Sequence, residues 1–493
     1  MHIAFLNPQG NFDPQDSYWT AHPDFGGQLV YVKEVAIAMA GLGHRVDIIT
    51  RQIIDPDWPE FAAPLDAYPG VERVRIVRIP CGPPTFLAKE QLWPYLGPEW
   101  VPNIVAFYRH EGRFPDAITT HYADGGLSGA LIEDDIGIPF TFTGHSLGAQ
   151  KLDKLGPTAA NLAELDARFH FAQRIAAERI AMNRAGVVIV STRQEQREQY
   201  GHPAYRGAID PTDDTRFAVV PPGVNLRIFA ADARHDREEA VQTHVEQMLA
   251  RDVAPERRHL PAIVCSSRLD AKKNHIGLVR AFAENPALQA MANLVIVVRG
   301  LTDPLRDRSQ GRGEERAILD AVVALIEAHH LWGKVSAFPL NSQQELAAAY
   351  RYLARRRSVF ALTALYEPFG LAPLEAIAAG LPGVVTRNGG PGESLYDAAT
   401  GTAYGVLVDP ADPADIARGL LEVLADPARW QFYQEAGMRR VHERYTWQRT
   451  AAGYLEAIAR AQTRRREPIA PYFRFPDRYP LTLEALARVY LET

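Results

Sequence analysis

Two glutamates that bracket a loop, Glu367 and Glu375, form the most chemically specific feature of the sequence. They lie in the run Tyr-Glu-Pro-Phe-Gly-Leu-Ala-Pro-Leu-Glu, which follows an apolar stretch typical of a buried strand. A Pro and a Gly flank Phe369 and predict an irregular loop whose backbone N–H groups can face a ligand. Glu367 falls in this loop and Glu375 at or near the following helix, so one carboxylate can bind sugar hydroxyls and the other ribose hydroxyls. The alternative is that each glutamate only complements a helix dipole.

A cluster of positive charge follows another predicted strand. The segment Ser267–Asn274 carries Arg268, Lys272 and Lys273 at the point where a helix should begin. A helix N-terminus already carries partial positive charge, so three cations are unfavourable there unless an anion binds. A diphosphate is the anion that this arrangement predicts, and a solvated basic turn is the alternative.

A third motif points to a different chemistry. Gly144-His145-Ser146-Leu147-Gly148 fits G-x-S-x-G after the predicted strand Phe140–Thr143, which is typical of the nucleophile elbow of an α/β-hydrolase. A lipase or esterase is therefore the alternative from another class of enzyme. It is disfavoured because no HGGG-type oxyanion segment precedes Ser146, and because no downstream Asp and His stand out as its partners.

The remaining candidates are glycine turns and scattered cations. The loop Asp24–Gln28 contains a Gly-Gly pair that lets a phosphate or sugar approach the backbone, although a tight turn explains it equally well. The turn Asn388–Glu393 is similar and is expected at the end of a strand. Lys89, Lys151 and Arg174 are cations of the first half, and taken singly each is read as a solvated side chain.

Apolar runs that alternate with amphipathic stretches must position these residues. A helix is predicted over Leu29–Ala40, and the charge-rich stretch Asp232–His259 is predicted to be a surface helix plus linker. This alternation predicts an α/β fold of two doubly wound, Rossmann-like domains facing across a cleft, with ligands outside the carboxyl ends of the strands. The predicted strands are Ile3–Leu6, Val46–Thr50, Ile118–Thr120, Phe140–Thr143, Ala262–Ser266, Leu294–Val298, Val335–Phe338, Val359–Leu362 and Val384–Thr386.

Composition excludes several classes of function. A length of 493 residues predicts two or more domains, and a net charge of -6 argues against nucleic-acid binding. Cys81 and Cys265 are the two cysteines, and they offer neither a disulfide framework nor metal-ligand spacing. The N-terminus resembles a first buried strand, and no apolar run is long enough for a membrane span. We therefore expect a cytoplasmic protein without membrane or nucleic-acid partners.

Taken together, the motifs resemble a known family. The runs SRLDAKKN, YEPFGLAPLE and NGGP resemble the retaining glycosyltransferases of the GT-B fold, in which two glutamates are separated by seven residues, as Glu367 and Glu375 are. The opening AFLNPQGNFDPQDSYWTAHPDFGGQLVYVKEVA and the segment FTFTGHSLGAQK resemble sucrose-phosphate synthases and their sucrose-synthase relatives. The resemblance covers the chain from Met1 to about Arg465.

The resemblance implies a role for each candidate residue. It assigns Arg268 and Lys273 to the nucleotide diphosphate, Glu367 to the donor sugar and His145 to the transferred sugar. Gly27 is assigned to the donor, and together with Gln28 it would approach the acceptor. The implied catalytic residues are His145, Arg268, Lys273 and Glu367; the implied donor-binding residues are Gly27, Phe369, Gly370, Leu371 and Glu375; the implied acceptor-binding residues are Gln28, Lys89, Tyr122, Ser146, Lys151 and Arg174.

The resemblance also implies the reaction. It is the retaining transfer of glucose from a nucleoside-diphosphate glucose, UDP-glucose or ADP-glucose, to fructose 6-phosphate, giving sucrose 6-phosphate, with no cofactor and no obligatory metal. Sucrose synthase remains an alternative because the motifs do not fully distinguish free from phosphorylated fructose, and mannosylfructose-phosphate synthase remains one because they do not show the donor sugar. A sugar-nucleotide sensor is disfavoured, since Arg268, Lys273, Glu367 and Glu375 are all present.

The resemblance and the alternation of elements together predict the domain limits. Residues 1–235 are expected to form an N-terminal acceptor-binding domain and residues 255–445 a C-terminal domain that binds the nucleotide sugar. Residues 446–493 are expected to form helices that pack back on the N-terminal domain.

Overall fold

The computed structural model describes residues 1–9, 11–18, 27–464, 469 and 482–491, and the chain divides into two compact units. The first unit combines Met1–Pro221 with Trp447–Thr493, and the second is Pro222–Thr446. Each is a Rossmann-like α/β unit, as the sequence predicts. The first unit ends before the predicted limit of 235, because the residues from Pro222 onward pack into the second unit.

An eight-stranded sheet organises the first unit. Its order is β3-β4-β2-β1-β5-β6-β7-β8, and every neighbouring pair is parallel except β3 and β4. The central strands are buried because helices cover both faces, which explains their runs of apolar and β-branched residues. The chain order changes direction between β1 and β5, and this is the point where such sheets bind ligands. The strands are β1 (His2–Asn7), β2 (Arg45–Arg51), β3 (Leu65–Asp66), β4 (Val74–Ile79), β5 (Ala117–His121), β6 (Phe140–Thr143), β7 (Val187–Val190) and β8 (Phe217–Val219).

In the described part of the N-terminal segment, seven helices accompany this sheet. Helix α4 lies close to the strands because two glycines follow its first residues: a Cβ at Gly125 would lie 2.7 Å from the Leu6 carbonyl oxygen, and one at Gly126 would lie 2.5 Å from Ala181 Cβ. The helices are α1 (Gly27–Gly41), α2 (Trp93–Tyr95), α3 (Val101–His110), α4 (Tyr122–Ile136), α5 (Gly148–Asp153), α6 (Leu162–Phe169) and α7 (Phe171–Arg184).

A six-stranded parallel sheet organises the second unit. Its order is β11-β10-β9-β12-β13-β16, so that its change of direction lies between β9 and β12. Strands β14 and β15 form a separate antiparallel pair. The strands are β9 (Ala262–Ser266), β10 (Asn293–Val298), β11 (Val335–Pro339), β12 (Val359–Leu362), β13 (Gly383–Thr386), β14 (Tyr396–Asp397), β15 (Thr402–Ala403) and β16 (Val406–Val408).

One helix of the second unit, α9, differs from its prediction. Helix α9 falls within the stretch predicted as surface helix plus linker, but it packs against β11 and α13 and buries Val241, Val245 and Leu249. The linker prediction is wrong, because an apolar stripe on a charged helix is enough to build α9 into the core. The helices are α8 (Leu226–Phe229), α9 (Glu238–Asp252), α10 (His275–Ala283), α11 (Pro286–Met291), α12 (Glu314–Ala328), α13 (Gln343–Arg355), α14 (Leu371–Ala378), α15 (Pro391–Ser394), α16 (Pro413–Leu424) and α17 (Pro427–Arg444).

The chain then returns to the first unit. Helix α18 (Trp447–Thr463) packs against α1 and strands β5 to β8, and its Tyr454 hydroxyl lies 2.8 Å from the Thr143 hydroxyl of β6. Helix α19 (Leu483–Leu491) packs on α6 with Leu486 fully buried. Most of the Pro- and aromatic-rich stretch that precedes α19 lies outside the described residues.

Candidate functional site

A cavity of about 290 Å³ lies at the carboxyl ends of β1, β5 and β6 in the first unit. It therefore occupies the edge where a sheet of this topology is expected to bind its ligand. The structure brings seven of the predicted residues together in its lining, although they are spread over nearly 150 positions of sequence. They are Gly27, Gln28, Lys89, Tyr122, Ser146, Lys151 and Arg174.

Protein contacts hold two of the cavity's cations in position. Arg174 Nε donates to Glu178 Oε1 at 3.0 Å, and its Nη2 donates to the Ser146 carbonyl oxygen. Burial disfavours the charge of Arg174, but the adjacent Glu178 carboxylate raises the arginine pKa above its ordinary value. Lys151 Nζ lies 4.3 Å from the centroid of the Phe169 ring and 4.0 Å from Glu90 Oε1. Both cations are thus oriented by the protein itself.

The uncharged side chains of the cavity stand at strand ends. Gln28 Nε2 donates to Asn7 Oδ1 at 2.8 Å, which ties the start of α1 to the end of β1. Tyr122, directly after β5, has a φ of 61°, and His145, shortly after β6, has a φ of 55°. A left-handed backbone is costly for residues other than glycine and is concentrated at functional sites.

His145 belongs to a buried aromatic cluster next to the cavity. Its Nε2 lies 2.8 Å from His121 Nδ1, the two rings stack with centroids 5.0 Å apart, and the rings of Tyr31 and Tyr122 lie 5.0 and 5.4 Å away. Burial lowers the pKa of His145 to about 3 and the pKa of His121 well below its ordinary value. At neutral pH both imidazoles are uncharged, so His145 can donate or accept one hydrogen bond but supplies no positive charge.

The geometry around Ser146 does not support the hydrolase alternative. The Ser146 side chain is exposed, and among the described residues no histidine is hydrogen-bonded to its hydroxyl. His145 makes its ring contact with His121 instead. The strained residue of the turn is His145 and not the serine, whereas in a nucleophile elbow the serine sits on the strained turn.

Several residues of this region were not predicted from the sequence. Asp124 and Gln9 line the cavity and are hydrogen-bonded to each other, with Gln9 Nε2 3.1 Å from Asp124 Oδ1. Glu90, Trp93 and Phe169 line it as well. Asp124 follows the predicted strand Ile118–Thr120 by a few residues, so polar residues after strand ends were the available signal. Phe169 has no such signal, because it ends a helix distant in sequence.

The predicted residues of the second unit lie at the carboxyl ends of β9, β12 and β13. The loop after β12 is locked to the turn after β13 by two backbone hydrogen bonds, Glu367 N to Asn388 O at 3.1 Å and Gly390 N to Glu367 O at 3.0 Å. Gly389, with a φ of +98°, allows this approach: a Cβ there would lie 2.0 Å from the Glu367 carbonyl oxygen. The Asn-Gly-Gly turn therefore shapes the loop that carries Glu367.

Helix α14 begins within this loop. Gly370 is its N-cap with a φ of 91°, and no side chain caps the first N–H groups of the helix. The helix starts at Leu371, earlier than the sequence predicted, so Glu375 lies inside it and Phe369 remains in the loop. Uncapped amides at a helix N-terminus are suited to bind an anion or the hydroxyls of a ligand.

The predicted cations of the second unit stand close to this loop. Lys273 Nζ donates to Glu367 Oε2 at 2.5 Å, so the two groups assigned to the diphosphate and the donor sugar contact each other. The Arg268 side chain is 87% exposed, and its nearest carboxylate oxygen is that of Asp270, at 3.5 Å. The expected helix begins only at His275, since Ala271–Lys273 form a 3₁₀ turn and Asn274 caps α10.

Glu375 is the second carboxylate of this region. It keeps some exposure to solvent, but burial of its carboxyl group among the surrounding protein atoms raises its pKa to about 7. No cation offsets this effect. The carboxyl group is therefore close to half protonated at neutral pH, and a ligand hydroxyl would provide the partner that it lacks.

The described residues contain neither a metal site nor a membrane-spanning helix. No group of three or more His, Cys, Asp or Glu side chains in them has the arrangement of a metal site. No helix in the described ranges has the length and apolar character needed to cross a bilayer.

Each of the two units matches a known protein family. Residues 26–223 match the family described as glycosyl transferase 4-like domain, and residues 249–439 match glycosyl transferases group 1. A probable sucrose-phosphate synthase of Thermosipho melanesiensis is 44% identical over 93% of this chain and 96% of its own length. The chain spans about half the length of the plant sucrose-phosphate synthases that it matches (52% and 48% for two of them).

Solved structures agree with this similarity. Sucrose-phosphate synthase from Thermosynechococcus elongatus aligns with a TM-score of 0.62 and 25% identity, over 92% of this chain and 97% of that one. The catalytic domain of starch synthase IV from Arabidopsis thaliana, bound to ADP and acarbose, aligns with a TM-score of 0.61 over 94% and 99% of the two chains. At 14% identity, the second alignment shows a common fold only.

Proposed function

Because the chain belongs to the sucrose-phosphate synthase family of glycosyltransferases, we propose that it transfers glucose from a nucleoside-diphosphate glucose to fructose 6-phosphate. The products are sucrose 6-phosphate and the nucleoside diphosphate, and the anomeric configuration of the glucose is retained. The observation that carries this proposal is the cavity of the first unit, in which three cations and several groups able to bind hydroxyls converge.

The cavity's cations favour a phosphorylated acceptor. We assign Lys89, Lys151 and Arg174 to the phosphate of fructose 6-phosphate, because Lys and Arg are the usual ligands of phosphate oxygens. Gln28 and Tyr122 lie in the same cavity and are assigned to the sugar hydroxyls. Free fructose has no group that would use three cations, which disfavours sucrose synthase.

The second unit is assigned to the donor. Lys273 and Arg268 bind the diphosphate, and the uncapped amides at the start of α14 provide further hydrogen bonds to the donor. Glu367 takes hydroxyls of the glucose and Glu375 those of the ribose. When the diphosphate binds, it replaces Glu367 as the partner of Lys273, and the carboxylate becomes available for a hydroxyl.

The chemical step follows from these assignments. The acceptor hydroxyl attacks C1 of glucose from the face that the diphosphate leaves, the bond from C1 to the diphosphate oxygen breaks, and that leaving group takes the hydroxyl proton. Arg268 and Lys273 stabilise the negative charge that develops on the diphosphate, as cations placed at a leaving group do in other enzymes. His145, uncharged at neutral pH, donates or accepts one hydrogen bond to the transferred glucose. The same two cations make a bound metal ion unnecessary in this proposal.

A product assay tests the proposal. Purified protein is given ADP-, UDP- or GDP-glucose, or GDP-mannose, with fructose or fructose 6-phosphate, and the products are separated after a single turnover. We expect sucrose 6-phosphate from a glucose donor and the phosphorylated acceptor alone. Sucrose from free fructose would contradict the role of the three cations, and a mannosylated product would contradict the assignment of the donor sugar.

The assay has a matched control within the same helix region. Lys151→Met removes a cavity cation, while Lys154→Met removes an exposed lysine three positions later. Only the first should weaken use of fructose 6-phosphate. Equal effects of both variants would mean that net charge, and not the cavity, determines acceptor use.

A further inference from the structure

A buried carboxylate at the cavity of the first unit has no role in the function proposed above. Asp124 lies in the first turn of α4, directly beyond the carboxyl end of β5, and is only 3% exposed. It lines the cavity that also holds the three cations. A charged group in such a position is costly unless both of its oxygens have partners.

The two oxygens of Asp124 differ in their surroundings. Oδ1 accepts hydrogen bonds from Gln9 Nε2 at 3.1 Å and from the Gly125 backbone N–H at 2.9 Å. Oδ2 is buried and, within the part of the chain that the structure describes, has no hydrogen-bond partner. The protein thus holds one oxygen from two sides and leaves the other, in a residue that lines the cavity, without a partner among the described residues.

The backbone keeps Asp124 in this position. Gly125 and Gly126 let α4 approach the sheet so closely that a Cβ at either would collide with neighbouring atoms. This close approach holds the start of α4, and with it the backbone of Asp124, against the end of β1. Burial raises the pKa of Asp124 to about 6, against the lowering effect of its two hydrogen bonds.

We propose that Asp124 is a specificity-determining residue of the acceptor site, whose Oδ2 accepts a hydrogen bond from a hydroxyl of the bound sugar. This inference rests on the proposed function, since it names a further contact in the same cavity. The carboxylate also repels phosphate, so the sugar phosphate binds with its phosphate at the cations and its hydroxyls at Asp124. The residue therefore selects a polyhydroxylated phosphate over phosphate alone.

Binding measurements with two probes test the inference. The dissociation constants of fructose 6-phosphate and of inorganic phosphate are measured by calorimetry for the wild type and Asp124→Asn. A hydrogen bond to a charged group predicts that the variant loses affinity for fructose 6-phosphate by about 10- to 100-fold. Its affinity for inorganic phosphate should stay unchanged or increase, because a like charge has been removed.

Further variants separate binding from structure. Asp124→Ser, also uncharged, is measured beside Asp124→Asn, and thermal unfolding reports whether each variant folds. Glu90→Gln removes the other carboxylate of the cavity, which lies near Lys151, and should change the affinities for both probes in the same direction.

The outcomes are distinct. Unchanged affinity for fructose 6-phosphate in both Asp124 variants, or an equal loss for both probes, would overturn the role of Asp124 and leave the proposed function standing. If the wild type itself bound inorganic phosphate and not fructose 6-phosphate, the proposed acceptor would be wrong. The role proposed for Asp124 would then be wrong as well, because it depends on that acceptor.

Discussion

The two candidate sites lie at equivalent edges of two similar sheets, yet they are built differently. The cavity of the first unit is lined by side chains that other side chains hold in place, as Glu178 holds Arg174 and Gln9 holds Asp124. The site of the second unit is shaped by backbone, through the hydrogen bonds between Glu367 and the turn at Asn388 and Gly390. Its Arg268 is mostly exposed.

If the proposed function is correct, the two sites bind charged sugar derivatives in two different ways. A site made of fixed side chains is complementary to its ligand before binding, so each side chain contributes to selectivity. A site made of backbone amides and an exposed cation can gain its final electrostatics when the diphosphate arrives. Substitutions of side chains should therefore change acceptor affinity in the first unit, whereas the shape of the second site should depend on glycines.

The largest effect is expected from the cations of the second unit. Arg268→Ala or Lys273→Ala should lower kcat on the order of 10²-fold or more, because each loses a contact that strengthens as charge develops on the leaving group. Steady-state kinetics with saturating donor and acceptor measure this. Lys272→Ala, in the same turn, is the control and should retain most of the activity. Near-normal turnover in Arg268→Ala or Lys273→Ala would remove that residue from the mechanism.

The next effect concerns the side chains of the first unit. Lys151→Met keeps an apolar stem against Phe169 but removes the charge, and should raise KM for fructose 6-phosphate by about 10- to 100-fold. KM for the nucleotide sugar should be unchanged, since Lys151 belongs to the other unit. A rise in both KM values would contradict the assignment of the acceptor site to the first unit and the donor site to the second.

A glycine substitution should affect the second unit more than any comparable change of a loop side chain. Gly389→Ala combines a φ of +98° with a Cβ placed 2.0 Å from the Glu367 carbonyl oxygen, and should cost about 2 to 4 kcal/mol of stability. Donor affinity should fall with it, because the loop carrying Glu367 must move. Gly401→Ala, with a φ of +67° and no atom within 4 Å, isolates the backbone strain alone. Thermal unfolding and donor titration of both variants make the comparison, and equal losses would contradict the role of the collision.

The two units share one property, a carboxyl group whose pKa burial raises. For Glu375 the folded pKa is about 7, above the ordinary value near 4.5, so the stability gained from its protonated form is lost as pH rises through 7. Glu375→Gln should therefore be more stable than the wild type at pH 8 by about 1 kcal/mol, after allowance for its partial exposure, and the gain should shrink toward pH 5. Chemical denaturation at both pH values measures it. A difference independent of pH would show that the carboxyl group is as well hydrated as in the unfolded chain.

The smallest effect is expected from chelation of divalent ions. If Arg268 and Lys273 balance the diphosphate charge, EDTA should change turnover by less than about twofold. The assay is repeated after addition of excess magnesium. A large loss with EDTA that magnesium restores would mean that the two cations do not suffice.

Local sequence patterns were enough to find most of the strands that frame the two sites. The nine predicted strands are all present, and Phe140–Thr143, Ala262–Ser266 and Val359–Leu362 have the predicted bounds. Strand β4 was missed because arginines interrupt its apolar residues. Arg78 is buried in it nonetheless, because its guanidinium donates to the carbonyl oxygens of Ala63 and Phe12. Such tertiary partners cannot be inferred from the local sequence pattern.

Local sequence patterns were also insufficient to identify the residues of the candidate sites. Lys89, Lys151 and Arg174 are unremarkable singly, and their assignment came from family resemblance, because proximity in space is set by helices and strands between them. Asp124 and His121 could be distinguished only by their contacts with Gln9 and His145. In the same way, the helix within Asp232–His259 was predicted, but the stretch was assigned to the surface and to a linker, because the local pattern does not show against which sheet an apolar stripe will pack.

The sequence by itself determined the class of the fold, the positions of the motifs proposed to bind phosphate and sugar and the membership of the family, because periodicity and motif spacing are local properties of the chain. Only the tertiary structure decided which cations share a cavity, that Lys273 and Glu367 are paired, and that Asp124 retains an unpartnered oxygen. These are properties of atoms brought together from distant positions. Burial, hydrogen bonding and pKa depend on such neighbours, and no single segment of the chain contains them.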